Sequence, residues 1–439
     1  MNNPISIKTE SIDNNAPSIS FYEYLIVFVL IIYAGRANTF VESASFTENP
    51  VGAFLPIILA GILAIKWRVL FEKNFYILIV CFSIYFVAIS AKYGEIQPTF
   101  LLTYIFRFFI VYAVIKALNF NLFRIYENIM YYLAITGVLM WSVQIMMGGD
   151  TLFSYLSKIP GISLFSYVTG YGLNAILYSV QPSAYGLLYN ITIPRNCGYT
   201  QEPGSFAVYL CLAIFINLFI TDSDKTSKKK FWVLVIALLS TQSTTGYVIF
   251  MVIMAYYILN RNLKKILLLL PFLVILLIGI SSLPFMSNKI IELINETGNV
   301  NMLVERSIIR QTSYAPGRFL SFNIAFRDFI SNPILGLGSH LEKSWSTLLG
   351  AQISTISGVG NLLAQFGIIG FLFFMIYSIK SSFFFSKYYN YKGKLLLFII
   401  IFFISVSYSV IVLPLVMVFW LFQLFAPQNK VQTGLQNFD

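Results

Sequence analysis

The sequence predicts an all-α polytopic membrane protein. Of its 439 residues, 58% are hydrophobic and only 11% are charged, which is too little polar surface to cover a soluble globule. Apolar runs at 51–65, 75–91 and 101–115 approach the length of a bilayer-spanning helix. Hydrocarbon leaves backbone groups without partners, so these runs must be helical. We therefore expect one integral membrane domain, residues 1–439, with about 12 transmembrane helices and a range of 10–12.

Two breaks in the apolar pattern account for that range. The runs 231–240 and 247–259 are each too short to cross the bilayer and are separated by TQSTTG, which predicts two short helices that meet at a polar hairpin tip. Residues 395–425 are broken in the same way near 407–414. The other predicted spans are 22–38, 51–66, 74–91, 98–117, 126–147, one that begins near residue 203, 266–280 and one that begins near residue 358, with both termini in the cytoplasm.

The net charge of +11 is explained by topology. Lysines are concentrated in alternate loops, and the side with most positive charge is the cytoplasmic side by the positive-inside rule. Anionic lipid headgroups and orientation account for this charge, so no nucleic-acid partner is needed.

Arginines are prominent on the opposite side of the membrane. A planar guanidinium can hold carboxylate or phosphate oxygens through two hydrogen bonds, whereas lysine acts as a point charge. We therefore expect the outer face to bind an anion, with structural salt bridges as the alternative. The outward arginines are Arg36, Arg195, Arg306, Arg310, Arg318 and Arg327.

The first large outward loop is predicted at residues 148–200, and it leads into the segment RNCGYTQEPGSFA. Arg195 and Glu202 lie at the edge of the next span, and Pro203 suits the first turn of a helix because the amide it lacks would have no partner there. Glu202 is either a simple cap that complements the helix dipole or part of a functional site.

The second large outward loop is predicted at residues 282–357. Apolar residues recur with helical spacing and predict an amphipathic helix near the membrane surface; they are Phe319, Phe322, Ala325, Phe326 and Phe329. Arg318 and Arg327 lie about two and a half turns apart, so they cannot form one clamp. Residues 333–338 predict a turn and not a phosphate cradle, since no strand precedes them.

Three further features bear on the site. Arg107 lies in the middle of a span, where it either forms an ion pair within the bundle or contacts a lipid-linked anion. The chain has only one histidine, His340, so no metal cluster is expected. The three cysteines, Cys81, Cys197 and Cys211, do not indicate a disulfide framework.

RNCGYTQEPGSFA resembles the R-x-x-G-x-x-x-E-P-S-x-F-A signature of the superfamily of O-antigen ligases and Wzy-type polysaccharide polymerases. GRFLSFNIAFRDFISNPILGLG is similar to the Gly-Arg, amphipathic helix and N-P-x-x-G-x-G of that family, and STQSTTG matches its Thr/Ser-rich break. The motifs cover roughly residues 190–380. Gly204 departs from the family, where serine is common. The histidine motif typical of ligases would start at Ile356, so its absence there favours a polymerase.

The resemblance implies a metal-independent inverting glycosyltransferase, without a cofactor, in the bacterial cytoplasmic membrane with its active loops outside. It would transfer a growing glycan from undecaprenyl diphosphate to the next lipid-linked repeat unit. A chain-length regulator is a further implied partner. The alternatives are an O-antigen ligase that transfers glycan to a lipid core, and a lipid-linked oligosaccharide flippase or other transporter.

The expected site combines both outward loops. Arg195 and Arg318 would contact the diphosphate and stabilise its developing charge, while Glu202 would orient an arginine or accept the hydroxyl proton. The expected substrate-binding residues are Arg327, Arg310, His340 and Arg107, with His340 also a candidate base.

Overall fold

The structure is a computed structural model. It describes residues 20–426 except 38, 43, 47, 160–172, 182–184, 189–190, 222–224, 262–304, 306–307, 309–315 and 352. The predicted span 266–280 and the arginines at positions 306 and 310 lie outside the described residues.

The described part of the chain is mostly helical with very little sheet, in agreement with the predicted class. Its N-terminal half contains α1 (Phe21–Gly35), α2 (Thr39–Glu42), α3 (Pro50–Lys66), α4 (Lys73–Tyr93), α5 (Pro98–Leu118), α6 (Asn121–Met147) and α7 (Gly149–Ser157). The remainder contains α8 (Pro203–Phe219), α9 (Lys225–Ser240), α10 (Thr244–Arg261), α11 (Arg318–Ser331), α12 (Trp345–Leu348), α13 (Gly358–Tyr388), α14 (Leu396–Ser407) and α15 (Pro414–Phe425).

The segment predicted as the first outward loop also contains short strands, which the sequence did not predict. β1 (Leu173–Asn174) pairs with β2 (Ser179–Val180), and β3 (Tyr185–Leu188) pairs with β4 (Ile191–Pro194), both antiparallel. Such short runs carry almost no alternating pattern, so residue periodicity could not reveal them.

Within the described residues, four helices, α4, α5, α6 and α13, are long and apolar enough to cross a membrane. They support a helical membrane protein, and the count of about 12 spans stays a prediction. The two predicted breaks are present, because α9 ends at Ser240 before α10 begins at Thr244, and α14 ends at Ser407 before α15 begins at Pro414.

Helix α8 lies at the centre of the bundle. Nearly every residue from Pro203 to Phe219 is buried, as expected for a helix that is apolar on all sides. It packs against α6, α9 and α10. Pro203 occupies its first turn, which places Glu202 at the N-cap.

The predicted amphipathic helix is present as α11, but its buried face differs from the predicted one. The face against α13 is formed by Leu320, Ile324 and Ala325, whereas Phe319 and Phe326 of the predicted stripe are exposed. Helical spacing alone could not choose between these faces, because residues 318–331 are apolar on both.

A turn follows α11 and fits into a break in α13. Gly367 has φ +62°, and the backbone amide of Ile368 donates to Pro333 O at 2.8 Å. The amides of Leu337 and Gly338 donate to Ala364 O and Gln365 O at 2.8 and 2.7 Å. The other side of the turn contacts α4, where Lys92 Nζ donates to Asn332 Oδ1 at 2.6 Å. The predicted turn is therefore held from both sides.

Candidate functional site

Arg195 and Arg318, from the two segments predicted to be outward loops, lie close enough for their charges to interact. Arg195 directly follows β4, and Arg318 begins α11. Both contact the Thr/Ser-rich break of the sequence: Arg195 contacts Thr241 between α9 and α10, and Arg318 contacts Thr245 in the first turn of α10. Both side chains are partly buried. Two residues separated by more than a hundred positions thus share one site.

Arg318 is held by two neutral partners. Its Nη1 donates to Thr245 Oγ1 at 3.0 Å, and its Nη2 donates to the Tyr408 hydroxyl. The guanidinium carbon also lies 4.6 Å from the centre of the Tyr408 ring. Ser407 extends this network, since its hydroxyl lies 3.0 Å from Thr245 Oγ1. These contacts fix the guanidinium without neutralising its charge.

Arg195 is oriented by the backbone of the same break. Its Nε donates to Thr241 O at 3.2 Å. Burial lowers the pKa of Arg195 from its ordinary value, and the nearby Arg318 charge acts in the same direction. An arginine starts from a pKa so high that it remains a cation at neutral pH.

The positive charge of this pair is not balanced by a salt bridge. Among the described residues, neither guanidinium lies within 4.0 Å of a carboxylate oxygen. Two like charges in a partly buried place raise the free energy of the site, and an anion that accepts hydrogen bonds from both would lower it. The geometry suits a phosphate or diphosphate group.

Glu202 lies at the edge of this pair. Its carboxylate is close enough to interact electrostatically with the Tyr408 hydroxyl and with the Cys197 thiol. The side chain is exposed and makes no capping hydrogen bond to the first turn of α8. Simple side-chain capping is therefore not what this residue does here, and an exposed carboxylate remains a chemically suitable proton acceptor.

Cys197, between Arg195 and Glu202, is a poor candidate nucleophile. It is buried, and burial raises the pKa of its thiol to about 12 even though Arg195 opposes the shift. A thiol with such a pKa is protonated at neutral pH, whereas the thiolate is the reactive form.

Gly204 is required by the packing of Tyr408. A Cβ atom at Gly204 would overlap the Tyr408 hydroxyl and would lie 3.3 Å from Arg318 Nη2. The serine that the resembling family commonly has at this point does not fit beside Tyr408. The departure noted in the sequence thus has a local steric reason.

No protein-family model and no curated protein matches the chain. The resemblance to polysaccharide polymerases and ligases therefore rests on the motifs alone, and membership in that superfamily stays a prediction.

The other predicted site residues lie in different places. Arg327 stacks on Trp345, with its guanidinium carbon 4.2 Å from the ring centre, and does not share the contacts of Arg318. Arg107 stacks on Tyr104 at 5.0 Å and lines a separate cavity. The bundle ion pair considered for Arg107 is not formed among the described residues. Arg310 lies outside the described residues.

His340 is buried within an acidic cluster and not solvated as a loop histidine would be. Its Nδ1 lies 3.1 Å from Glu342 Oε1 and 3.5 Å from Glu95 Oε2. The three side chains place one ligand atom each within 4.8 Å of one another, a geometry that a cation can occupy. The contacts of His340 are not shared by Arg195 or Arg318, so the structure does not bring the candidate base to them.

Sequence reasoning missed Tyr408, Thr241 and Thr245. Tyr408 lies in the predicted break between two short apolar helices, and both threonines lie in TQSTTG. Polar residues at a break in an apolar helix are the sequence signal that could have identified these three residues. The break alone does not show which residues of another loop they contact.

Proposed function

We propose that the protein polymerises lipid-linked polysaccharide repeat units on the outer face of the bacterial cytoplasmic membrane. The observation that carries this proposal is the meeting of Arg195 and Arg318, with no carboxylate in salt-bridge distance, beside the exposed Glu202. Positive groups held in place in this way stabilise the charge that develops on a strongly anionic leaving group. The order of the motifs and the apolar helices support the same function.

In the proposed reaction, a terminal hydroxyl of the incoming repeat unit attacks the anomeric carbon of the growing chain. The bond from that carbon to the diphosphate oxygen breaks with inversion, and undecaprenyl diphosphate leaves with the bonding electrons. Arg195 and Arg318 stabilise the charge that develops on the diphosphate. Glu202 takes the proton of the attacking hydroxyl.

Thr245 and Tyr408 are positioning residues in this scheme. They hold the Arg318 guanidinium before substrate arrives, so little orientation entropy is lost in the transition state. Their hydroxyl groups are neutral and leave the full positive charge for the diphosphate.

The direct test is a reconstituted assay. Purified protein in liposomes, supplied only with undecaprenyl-diphosphate-linked repeat units, should form a ladder of longer lipid-linked chains. In cells, a deletion should leave single repeat units on the surface. Loss of even that unit would instead indicate a flippase, and lipid core without any glycan would indicate a ligase.

We expect the assay to proceed equally well with EDTA. The reaction needs no nucleotide sugar, and the arginines supply the positive charge that a metal supplies elsewhere. The measurement compares initial rates with EDTA and with added Mg²⁺. A loss of activity restored by Mg²⁺ would contradict this prediction, and abolition of the Mg²⁺ effect by Glu95→Gln would locate the ion at the cluster around His340.

A further inference from the structure

A cavity of about 470 Å³ lies at the opposite end of α8 from Arg318. The first turn of α8 adjoins Arg318, because a Cβ atom at Gly204 would lie 3.3 Å from Arg318 Nη2. The cavity is lined by the last turn of the same helix and by the two residues that follow it. A helix of 17 residues is about 25 Å long, so the cavity is separate from the site proposed to bind the diphosphate.

The other walls come from the start of α9, the second half of α10 and Tyr389, which follows α13. At the start of α9 the sequence passes directly from three lysines, residues 228–230, to an apolar run that begins with Phe231 and Trp232. Lysines next to aromatic residues at the edge of an apolar run are typical of the boundary between lipid headgroups and hydrocarbon. The pattern indicates that the cavity lies at the level of the headgroups, on the side predicted to be cytoplasmic.

One face of α9 continues from the cavity as an exposed apolar stripe. Trp232, Ile236 and Leu239 are 62%, 50% and 52% exposed, whereas Leu234 between them is fully buried against the bundle. Lys228 precedes Trp232 by four residues, so its side chain belongs to the same face of the helix. Exposed apolar surface of this kind marks a site of interaction with a membrane or a protein. On a membrane helix it is a surface that lipid chains can cover.

The polar wall of the cavity offers donors to an anion. Among the described residues, Lys228 Nζ lies within 4.0 Å of no carboxylate oxygen. Ser227 Oγ accepts a hydrogen bond from Asn217 Nδ2 at 3.0 Å, which leaves its own proton for another acceptor. Glu127 also accepts from Asn217, but it is paired with Lys230 at 3.5 Å and is not one of the described residues that line the cavity. The charge of Lys228 is therefore left for a ligand.

We propose that this cavity binds the phosphate head of an anionic phospholipid, whose acyl chains lie along the exposed stripe of α9. Lys228 and the Ser227 hydroxyl hold the phosphate, and the amphipathic ring of Trp232 packs where head and chains meet. A soluble anion would gain nothing from the stripe, and a zwitterionic lipid carries an ammonium group that offsets its phosphate. Such a lipid would bind whether or not the protein polymerises glycan, because the cavity is separate from Arg318.

The test measures lipid binding to the full-length protein in detergent by native mass spectrometry. The first molecule of phosphatidylglycerol should bind several-fold more tightly than the first molecule of phosphatidylcholine. Lys228→Ala should weaken the binding of phosphatidylglycerol by about fivefold, the contribution of one basic side chain close to an anionic lipid surface. It should leave the binding of phosphatidylcholine unchanged. Equal affinity of the wild-type protein for both lipids would overturn the proposal.

The matched control is Lys229→Ala, which removes the same charge from the next residue. Lys229 is exposed and is not one of the described residues that line the cavity. This variant should lose much less affinity than Lys228→Ala, whereas equal losses would overturn the site in favour of a diffuse attraction to the lysine cluster. Lys228→Gln keeps a long polar side chain without the charge and should behave like Lys228→Ala, so it replaces that variant if the alanine change prevents folding.

Competition identifies the source of the anion. Neither phosphatidylcholine nor sn-glycerol 3-phosphate should displace the first phosphatidylglycerol at equal concentration. Displacement by phosphatidylcholine would overturn the proposal in favour of an unselective lipid surface. Displacement by sn-glycerol 3-phosphate would overturn it in favour of a site for a soluble anion.

Discussion

Replacing Arg318 with alanine is expected to lower the polymerisation rate by about 100- to 1,000-fold, the usual cost of removing one donor that stabilises transition-state charge. Arg318→Lys is expected to lose about tenfold or more, because an ammonium group keeps the charge but cannot reach Thr245, Tyr408 and a diphosphate with planar donors. The measurement is the initial rate of chain extension in liposomes at saturating substrate.

Two other arginines provide the comparison. Arg327 lies on the same helix as Arg318 but stacks on Trp345. Arg327→Ala should therefore lower the rate less than Arg318→Ala. Arg124→Ala removes an exposed arginine near the start of α6 and should keep the wild-type rate. If Arg318→Lys and Arg318→Ala both polymerise normally while inserted in the membrane, the diphosphate role of Arg318 is untenable.

Replacing Gly204 with alanine is expected to abolish most activity and to reduce stability by about 1–3 kcal/mol, the range for overpacking a dense interior. The added methyl group overlaps the Tyr408 hydroxyl and approaches Arg318 Nη2, so the guanidinium is displaced together with its partner. Both thermal unfolding in detergent and the extension rate should fall.

A second substitution separates the effect on stability from the effect on the extension rate. Gly204→Ala/Tyr408→Ala removes the clash and should recover stability relative to the sum of the single changes, which is the coupling expected of residues in contact. It should not recover the rate, since Arg318 has then lost one of its two partners. Gly61→Ala is the matched control, because that helical glycine has open space around its Cβ position and should tolerate the change. Equal losses at both glycines would disprove the steric reason.

The sequence predicted the helices well because apolar length is a direct physical requirement. Helices α3 to α6 begin and end within a few residues of the predicted spans, apart from the start of α6, and the two broken pairs were predicted from polar interruptions. The small strands of the first loop and the buried face of α11 were not predicted, because both depend on tertiary contacts that leave no period in the local sequence.

The site was predictable in part. Residue chemistry selected Arg195, Glu202 and Arg318, since guanidinium groups are the natural partners of a diphosphate. These residues come together through tertiary contacts. Thr241 and Thr245 of the Thr/Ser-rich break accept hydrogen bonds from Arg195 and Arg318, and Tyr408 accepts one from Arg318. His340 was selected only because it is the single histidine of the sequence, and this fact does not predict which residues surround it in the fold.

The turn that follows α11 has a mechanical consequence. One end of this helix is fastened to α13 and α4 through backbone hydrogen bonds at Pro333, Leu337 and Gly338 and through Asn332, whereas Arg318 lies at the other end. A helix of 14 residues is a lever about 20 Å long. Tilting it by about 10° around the fastened end would carry Arg318 roughly 3 Å, enough to break both of its hydrogen bonds, while Arg327 near the pivot would hardly move. Because Leu320 and Ile324 are buried on the face of α11 that packs against α13, such a tilt would also shift this packing, so the position of Arg318 depends on the contact between the two helices.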